Sequence, residues 1–304
     1  MKVFIVGGAG VVGSSTAFYL ALKGTADEIV LQDLNYDMAQ SHAMDMSQAI
    51  FLQSSTGVKA GTWEDAQGAD LVIIGAGLSP NKMTHDPCKD IETMMPLIDS
   101  ICDGVKKYCP DAVVLSLTNP LDIFNYVLYK RSGLNSRQFI GLAANDSIRF
   151  RWALGHYFDV DPASVDAYAI GQHAADVIPL FSTVKVNGES RPLGRQVQEE
   201  VETWMKDWWK HFLSVSGNRT AGWTTGAYAA QTAEHIMGGE EGPICASVIP
   251  EEGLAIDIPA DLNKEGFADS ALPELSDEEA ARFEKCKDNC REKIRKVMEY
   301  LKLN

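Results

Sequence analysis

The stretch Lys2-Val3-Phe4-Ile5-Val6-Gly7-Gly8-Ala9-Gly10-Val11-Val12-Gly13 decides the fold. Residues 2–8 read as an apolar strand, a glycine turn follows, and Ser14 to Lys23 read as a helix stopped by Gly24. A second strand, Glu28 to Leu34, carries Asp33 twenty positions beyond Gly13 (33 − 13). A bare glycine pattern means little. Between a strand and a helix, with an acid at the end of the next strand, it is specific for a dinucleotide. Gly8 is expected to permit the tight turn, Gly10 to let a pyrophosphate approach the backbone, and Gly13 to let helix and strand pack closely. The amides that open the helix, at Val11 and Val12, would face the phosphates. Asp33 would accept hydrogen bonds from the adenosine ribose hydroxyls and repel a 2′-phosphate, which argues for NAD over NADP.

The same alternation continues outward. Tyr36 to Leu52 read as a helix, Val58 to Trp63 as a short strand, and Ala69 to Gly75 as a buried strand whose end, Gly75, belongs to the cofactor side. Ile91 to Tyr108 are helical, Ala112 to Leu117 form a strand closing on Thr118-Asn119-Pro120, and Leu121 to Lys130 are helical again. Phe139 to Ala143 make the sixth strand. This predicts an α/β chain with a doubly wound parallel sheet of Rossmann type over 1–144, with ligands at the carboxyl ends of its strands. Past Asn145 the order changes: strands at Val165–Ile170 and Ile178–Val186, helices at Gln196–Val215 and Thr225–Met237, strands at Ile244–Ile249 and Leu254–Ile258, and a last helix from Ser276. That predicts a second α/β domain over 145–304, holding the substrate, with a cleft between the two.

Composition narrows the partners. The 304 residues carry 27 basic and 42 acidic side chains, a net charge of −15, which disfavours nucleic acid and anionic membranes. No apolar run is long enough to span a bilayer, and the N-terminus enters a strand rather than a signal peptide. Six cysteines without close spacing suggest neither a disulfide framework nor a metal site, so a reduced, cytoplasmic protein is expected.

The chemistry is expected between Asn145 and His173. Asn145 would cap a helix on which Asp146 and Arg149, three apart, project from one side. His173 follows a strand and the turn at Gly171. Imidazole titrates near neutral pH and works best beside an orienting carboxylate, for which Asp146 is the candidate. Arg149 would grip a substrate carboxylate in two-pronged fashion. In isolation these residues have ordinary explanations: an acid in a first turn serves the helix dipole, and an arginine a turn later is solvated.

With the motifs in this order, the chain resembles the lactate/malate dehydrogenase family, L-2-hydroxy-acid dehydrogenases that use NAD. The resemblance runs end to end, through Gly8–Gly13, Asp33, Thr118-Asn119-Pro120, Asp146-Ser147-Ile148-Arg149 and Gly171-Gln172-His173. It implies that His173 donates and accepts the proton, that Asp146 orients it, and that Arg149 clamps the C1 carboxylate. Asn119 would hold the substrate oxygen or the nicotinamide ribose, and Thr224 and Thr225 fall near the substrate side chain. The family's dimers and tetramers imply a homo-oligomer.

The loop after the fourth strand departs from the family. There the family carries two arginines, one reading the substrate side chain and one polarising the carbonyl. Here the loop runs Leu78-Ser79-Pro80-Asn81-Lys82-Met83-Thr84-His85-Asp86-Pro87-Cys88-Lys89, with His85 and about Ser79 at those positions. Gln172 and Ala174 likewise replace a glutamate and a glycine. Lys82, His85 or Lys89 would then supply the missing cation for malate or an unusual 2-oxo acid. The competing readings are a binding module that has lost its chemistry and an NAD-dependent glycosidase, which would need a Cys–His metal cluster near Asn119 or His173.

Overall fold

The computed structural model describes residues 1–216 and 220–303. The chain alternates β1 (Lys2–Val6), α1 (Val11–Lys23), β2 (Glu28–Gln32), α2 (Tyr36–Ile50), β3 (Gly57–Ala60), β4 (Leu71–Ile74), α3 (Pro87–Tyr108), β5 (Val113–Ser116), α4 (Leu121–Ser132) and β6 (Phe139–Leu142). These six strands pair in parallel in the order β3-β2-β1-β4-β5-β6, the doubly wound arrangement expected. Side chains alternate in face along each strand. Val3, Ile5, Ile29, Leu31, Leu71 and Ile73 therefore pack with α1 and α2 on one side. Phe4, Val6, Val30, Val72 and Ile74 pack with α3 and α4 on the other.

The second half holds α5 (Ala144–Phe158), β7 (Val165–Asp166), β8 (Ala169–Gln172), β9 (Asp176–Pro179), β10 (Lys185–Val186), β11 (Glu189–Ser190), α6 (Arg195–Val215) and α7 (Gly222–Met237). It closes with β12 (Ile244–Glu251), β13 (Leu254–Asn263), β14 (Gly266–Ser270) and α8 (Asp277–Leu301). Its strands extend the same sheet: β12 runs antiparallel to β6, with Ala246 opposite Leu142, and β13, β8 and β9 follow. One sheet thus crosses the position, between β6 and α5, where the sequence divides the chain. Among the described residues no helix is long and apolar enough to cross a membrane.

Three local expectations are corrected. The helix at Asp146 is capped by Ala143, whose carbonyl accepts the Asp146 N–H, so Asn145 is a helical residue and not the cap. The run Val165–Ile170 divides into β7 and the start of β8. The run Ile178–Val186 also divides: β9 ends at Pro179, which has no N–H for a longer ladder, a 3-10 turn over Phe181–Thr183 follows, and Lys185–Val186 form β10.

The β8–β9 hairpin depends on Gly171. Its φ is +110°, and a Cβ there would stand 2.4 Å from the Asp176 carbonyl oxygen. Gly171→Ala is expected to destabilise the protein by about 2 kcal/mol or more through strain and overlap, read as a lower urea-unfolding midpoint.

Candidate functional site

The cofactor end is built at the carboxyl ends of β1, β2 and β4. The left-handed turn residue is Gly7 (φ +84°), not Gly8. Gly8 is needed for room, since a Cβ there would lie 2.8 Å from Leu31 Cβ. At Gly13 a Cβ would stand 2.2 Å from the Gly7 carbonyl oxygen, and at Gly75 one would stand 3.1 Å from Gly13 N, so strand ends and helix meet backbone to backbone. Gly10 caps α1 with no side-chain bond, and a Cβ on it would meet only the Gly7 oxygen, at 3.3 Å. Its outer side is open, the first turn of α1 carries no acid, and its amides are left for an anion. Asp33 stands at the lip, its Oδ2 accepting the Ala9 N–H at 3.0 Å and its Oδ1 the Asn35 N–H at 2.9 Å. These residues fit a dinucleotide.

The chemical end brings together α5 and the β8–β9 hairpin. His173 Nδ1 lies 2.7 Å from Asp146 Oδ2, and Arg149 Nη1 donates to Asp146 Oδ1 at 2.9 Å. Burial disfavours the charged imidazole, but the charge and hydrogen bond of Asp146, with Asp122 adding, outweigh it and raise the His173 pKa. Burial likewise works against the Asp146 carboxylate, and is outweighed by His173, then Arg149 and the Ala174 amide, so its pKa is lowered. Ser147, next along α5, accepts the Ala169 N–H at 2.9 Å and so ties the helix to β8.

A cleft of about 390 Å³ opens on this pair. Asn119, Asp146, Arg149, His173 and Thr225 line it, with Val12 at its cofactor end. The loop residues do not join them. Lys82, His85 and Lys89 are exposed and none lines the cleft; the loop instead folds on Asp90, whose Oδ1 accepts from Thr84 N and Oγ1 at 2.8 Å each. Among the described residues no group of acids, cysteines and histidines could hold a metal.

Sequence reasoning missed two features. Asp122 Oδ2 accepts the His173 backbone N–H at 3.0 Å, and its Oδ1 accepts from Ser247 Oγ at 2.6 Å. Its signal was an acid two residues past Pro120 on an otherwise apolar helix start. Glu202, Lys206 and Lys210 of α6 line the cleft. Their spacing of four, on the face that carries Met205, was the signal there.

A doubly wound sheet with a dinucleotide turn, and a carboxylate-paired histidine lining its cleft, point to a dinucleotide-dependent oxidoreductase. Family models give the particular kind: the lactate/malate dehydrogenase NAD-binding domain matches residues 1–141, and the lactate/malate dehydrogenase alpha/beta C-terminal domain matches residues 144–301. An L-lactate dehydrogenase 2 of Bacillus cereus is 33% identical over 291 residues, 91% of this chain and 92% of the relative. The lactate dehydrogenase of Cryptosporidium parvum, solved with lactic acid and β-nicotinamide adenine dinucleotide, superposes with a TM-score of 0.89 at 25% identity, covering 97% of each chain. The malate dehydrogenase of the same organism gives 0.89 at 25%, covering 98% of this chain and 99% of its own. The chain belongs to the lactate/malate dehydrogenase family. It is an NAD-dependent oxidoreductase that acts on the CH–OH group of a 2-hydroxy acid, or in reverse on a 2-oxo acid.

Asp122 gives a pH signature. Burial pushes its carboxyl from 3.8 up to about 6, despite the bonds from Ser247 and His173. The unfolded chain releases this proton near pH 4 and the folded chain near pH 6, so ionisation penalises the folded state increasingly across that window. Asp122→Asn, which keeps the side-chain shape and one acceptor oxygen for the His173 N–H without the charge, is expected to gain stability relative to the native protein between pH 4 and pH 6.5 in chemical denaturation. A gap that does not change with pH would sink the assignment.

Proposed function

We propose that His173 is the proton donor and acceptor of this oxidoreductase, with Asp146 orienting it and Arg149 holding the substrate's C1 carboxylate. The observation that carries this is the 2.7 Å contact between His173 Nδ1 and a buried Asp146 carboxylate at the wall of the cleft. With Nδ1 engaged, Nε2 is the nitrogen left for a substrate oxygen. When bound, NAD supplies the hydride acceptor for the substrate's C2 and, reduced, the donor. His173 takes the hydroxyl proton as the hydride leaves, and returns it to the forming alkoxide in the reverse direction. Arg149 fixes the acid so that C2 faces the ring, an effect of orientation. Asn119 holds the reacting oxygen or the nicotinamide ribose, and Thr225 borders the substrate side chain.

On the cofactor side, Gly8, Gly10, Gly13, Val11, Val12 and Gly75 cradle the pyrophosphate and Asp33 takes the adenosine ribose, a reading supported by the open face of Gly10 and the uncapped start of α1. The substrate-binding half begins near residue 145. Self-association as a symmetric dimer or tetramer is supported by the exposed apolar residues of α2 and its flanks: Leu34, Tyr36, Met38, Met44, Phe51 and Leu52. Six unpaired cysteines support work in the reducing cytoplasm.

His173→Asn should lower turnover by about 10²–10⁴-fold while NADH binding, read by fluorescence titration, stays close to native. Retained turnover would remove His173 from the mechanism. The pH profile gives a second test. Reduction of the oxo acid needs protonated His173, so its kcat/KM is flat at low pH and falls as pH passes the raised histidine pKa; oxidation of the hydroxy acid rises through the same point. Asp146→Asn withdraws the charge that raises this pKa, and should shift both limbs to lower pH.

A further inference from the structure

The family's side-chain arginine is absent from the loop, and the loop's own cations stand off the cleft. The cleft nevertheless has cations of its own, from α6. Lys206 and Lys210, one turn apart on α6, line the same space as Arg149, His173 and Thr225. We infer that these two lysines read a second anionic group on the substrate's side chain, so that specificity is carried by α6 instead of the loop. The inference rests on the proposal that Arg149 holds the C1 carboxylate.

Charge in the cleft favours this arrangement. Two carboxylates line it, and both are already held: Asp146 by His173 and Arg149, and Glu202 by Arg282 at 3.0 Å. The lysines, by contrast, pair among the described residues with acids of their own helix, Lys206 at 3.7 Å from Glu202 and Lys210 by a hydrogen bond of 3.2 Å to Asp207. Their side chains are 71% and 76% exposed, so these surface pairs are weak and exchange readily for an incoming anion. A flexible, exposed ammonium suits a point anion, and does not need the fixed fork by which Arg149 grips a planar carboxylate. The substrate class is therefore a 2-oxo acid, or its 2-hydroxy form, bearing a second carboxylate, sulfonate or phosphonate.

The test is NADH oxidation with pyruvate, oxaloacetate, 2-oxoglutarate, 3-sulfopyruvate and 3-phosphonopyruvate, which separates the anion types. The native enzyme should prefer one of the four anion-bearing acids to pyruvate by tenfold or more in kcat/KM. In the double variant Lys206→Gln/Lys210→Gln that ratio should fall at least tenfold, mainly through KM, and added salt should erode it in the native enzyme more than in the variant. Both positions are exposed, so the variant is expected to fold. A native preference for pyruvate, no turnover of any anion-bearing acid, or a ratio that survives both substitutions overturns the inference. Arg149→Ala, assayed in parallel, separates the two levels. If it weakens every acid while the lysine variant keeps the ratio, only the lysine assignment fails; if it weakens none, the clamp reading fails as well.

Discussion

The Asp146 carboxylate is the constraint on which the site depends. A buried charge is tolerated only when it is paired, and Asp146 is paired twice, to an imidazole from the β8–β9 hairpin and to a guanidinium one turn along its own helix. Both pairings require α5 to hold one rotation about its axis and one height against β8. Ser147 supplies that register by bonding the Ala169 backbone in both directions, at 2.9 and 3.2 Å. Packing, hydrogen bonding and charge therefore fix the same geometry, and removal of either partner would leave the buried carboxylate with one pairing in place of two.

Beneath the histidine the acids are held in different states. Asp146 is kept ionised by its partners, whereas Asp257 on β13, opposite Gly171 in the sheet, is pushed well above the carboxylate range by burial and by Asp146 and Asp122. Asp122 lies between these extremes. Burial opposes ionisation at all three, and only Asp146 has cationic partners that outweigh it. Asp146, the acid in contact with the imidazole, therefore contributes most to raising the histidine's pKa, with Asp122 adding to it.

The fold was largely legible in the sequence because parallel strands buried on both faces are continuous apolar runs, and because the glycine turn needs a particular spacing. Asp146 and Arg149 were legible for the same reason, since a separation of three on a helix is a spatial fact. Long-range relations were not legible. No local pattern shows that β12 will join β6, that Asp122 will reach the His173 amide 51 residues away, or that Gly7 and not Gly8 takes the left-handed turn. The loop lysines and His85 are the cations nearest in sequence to the replaced arginines, while the lysines that line the cleft stand far along the chain on α6. Asn145 is a good capping residue in isolation; β6 simply runs into the helix two residues earlier.

The two replacements around the histidine also have a physical account. Ala174 stands where the family has glycine, and it keeps the left-handed conformation, φ 62°, at a steric cost of about 1 kcal/mol. The turn that aims His173 is thus imposed by its surroundings, among them the Asp122 and Asp146 bonds to consecutive residues, and does not rely on a permissive residue. Gln172 stands where the family has glutamate, and its side-chain oxygen accepts from Lys293 on α8. A neutral amide there keeps the contact to the helix without bringing another carboxylate up to Asp122, Asp146 and Asp257. Burial already opposes ionisation of three acids here, so an uncharged residue avoids a fourth desolvated carboxylate and leaves the histidine's pairing with Asp146 as the dominant interaction.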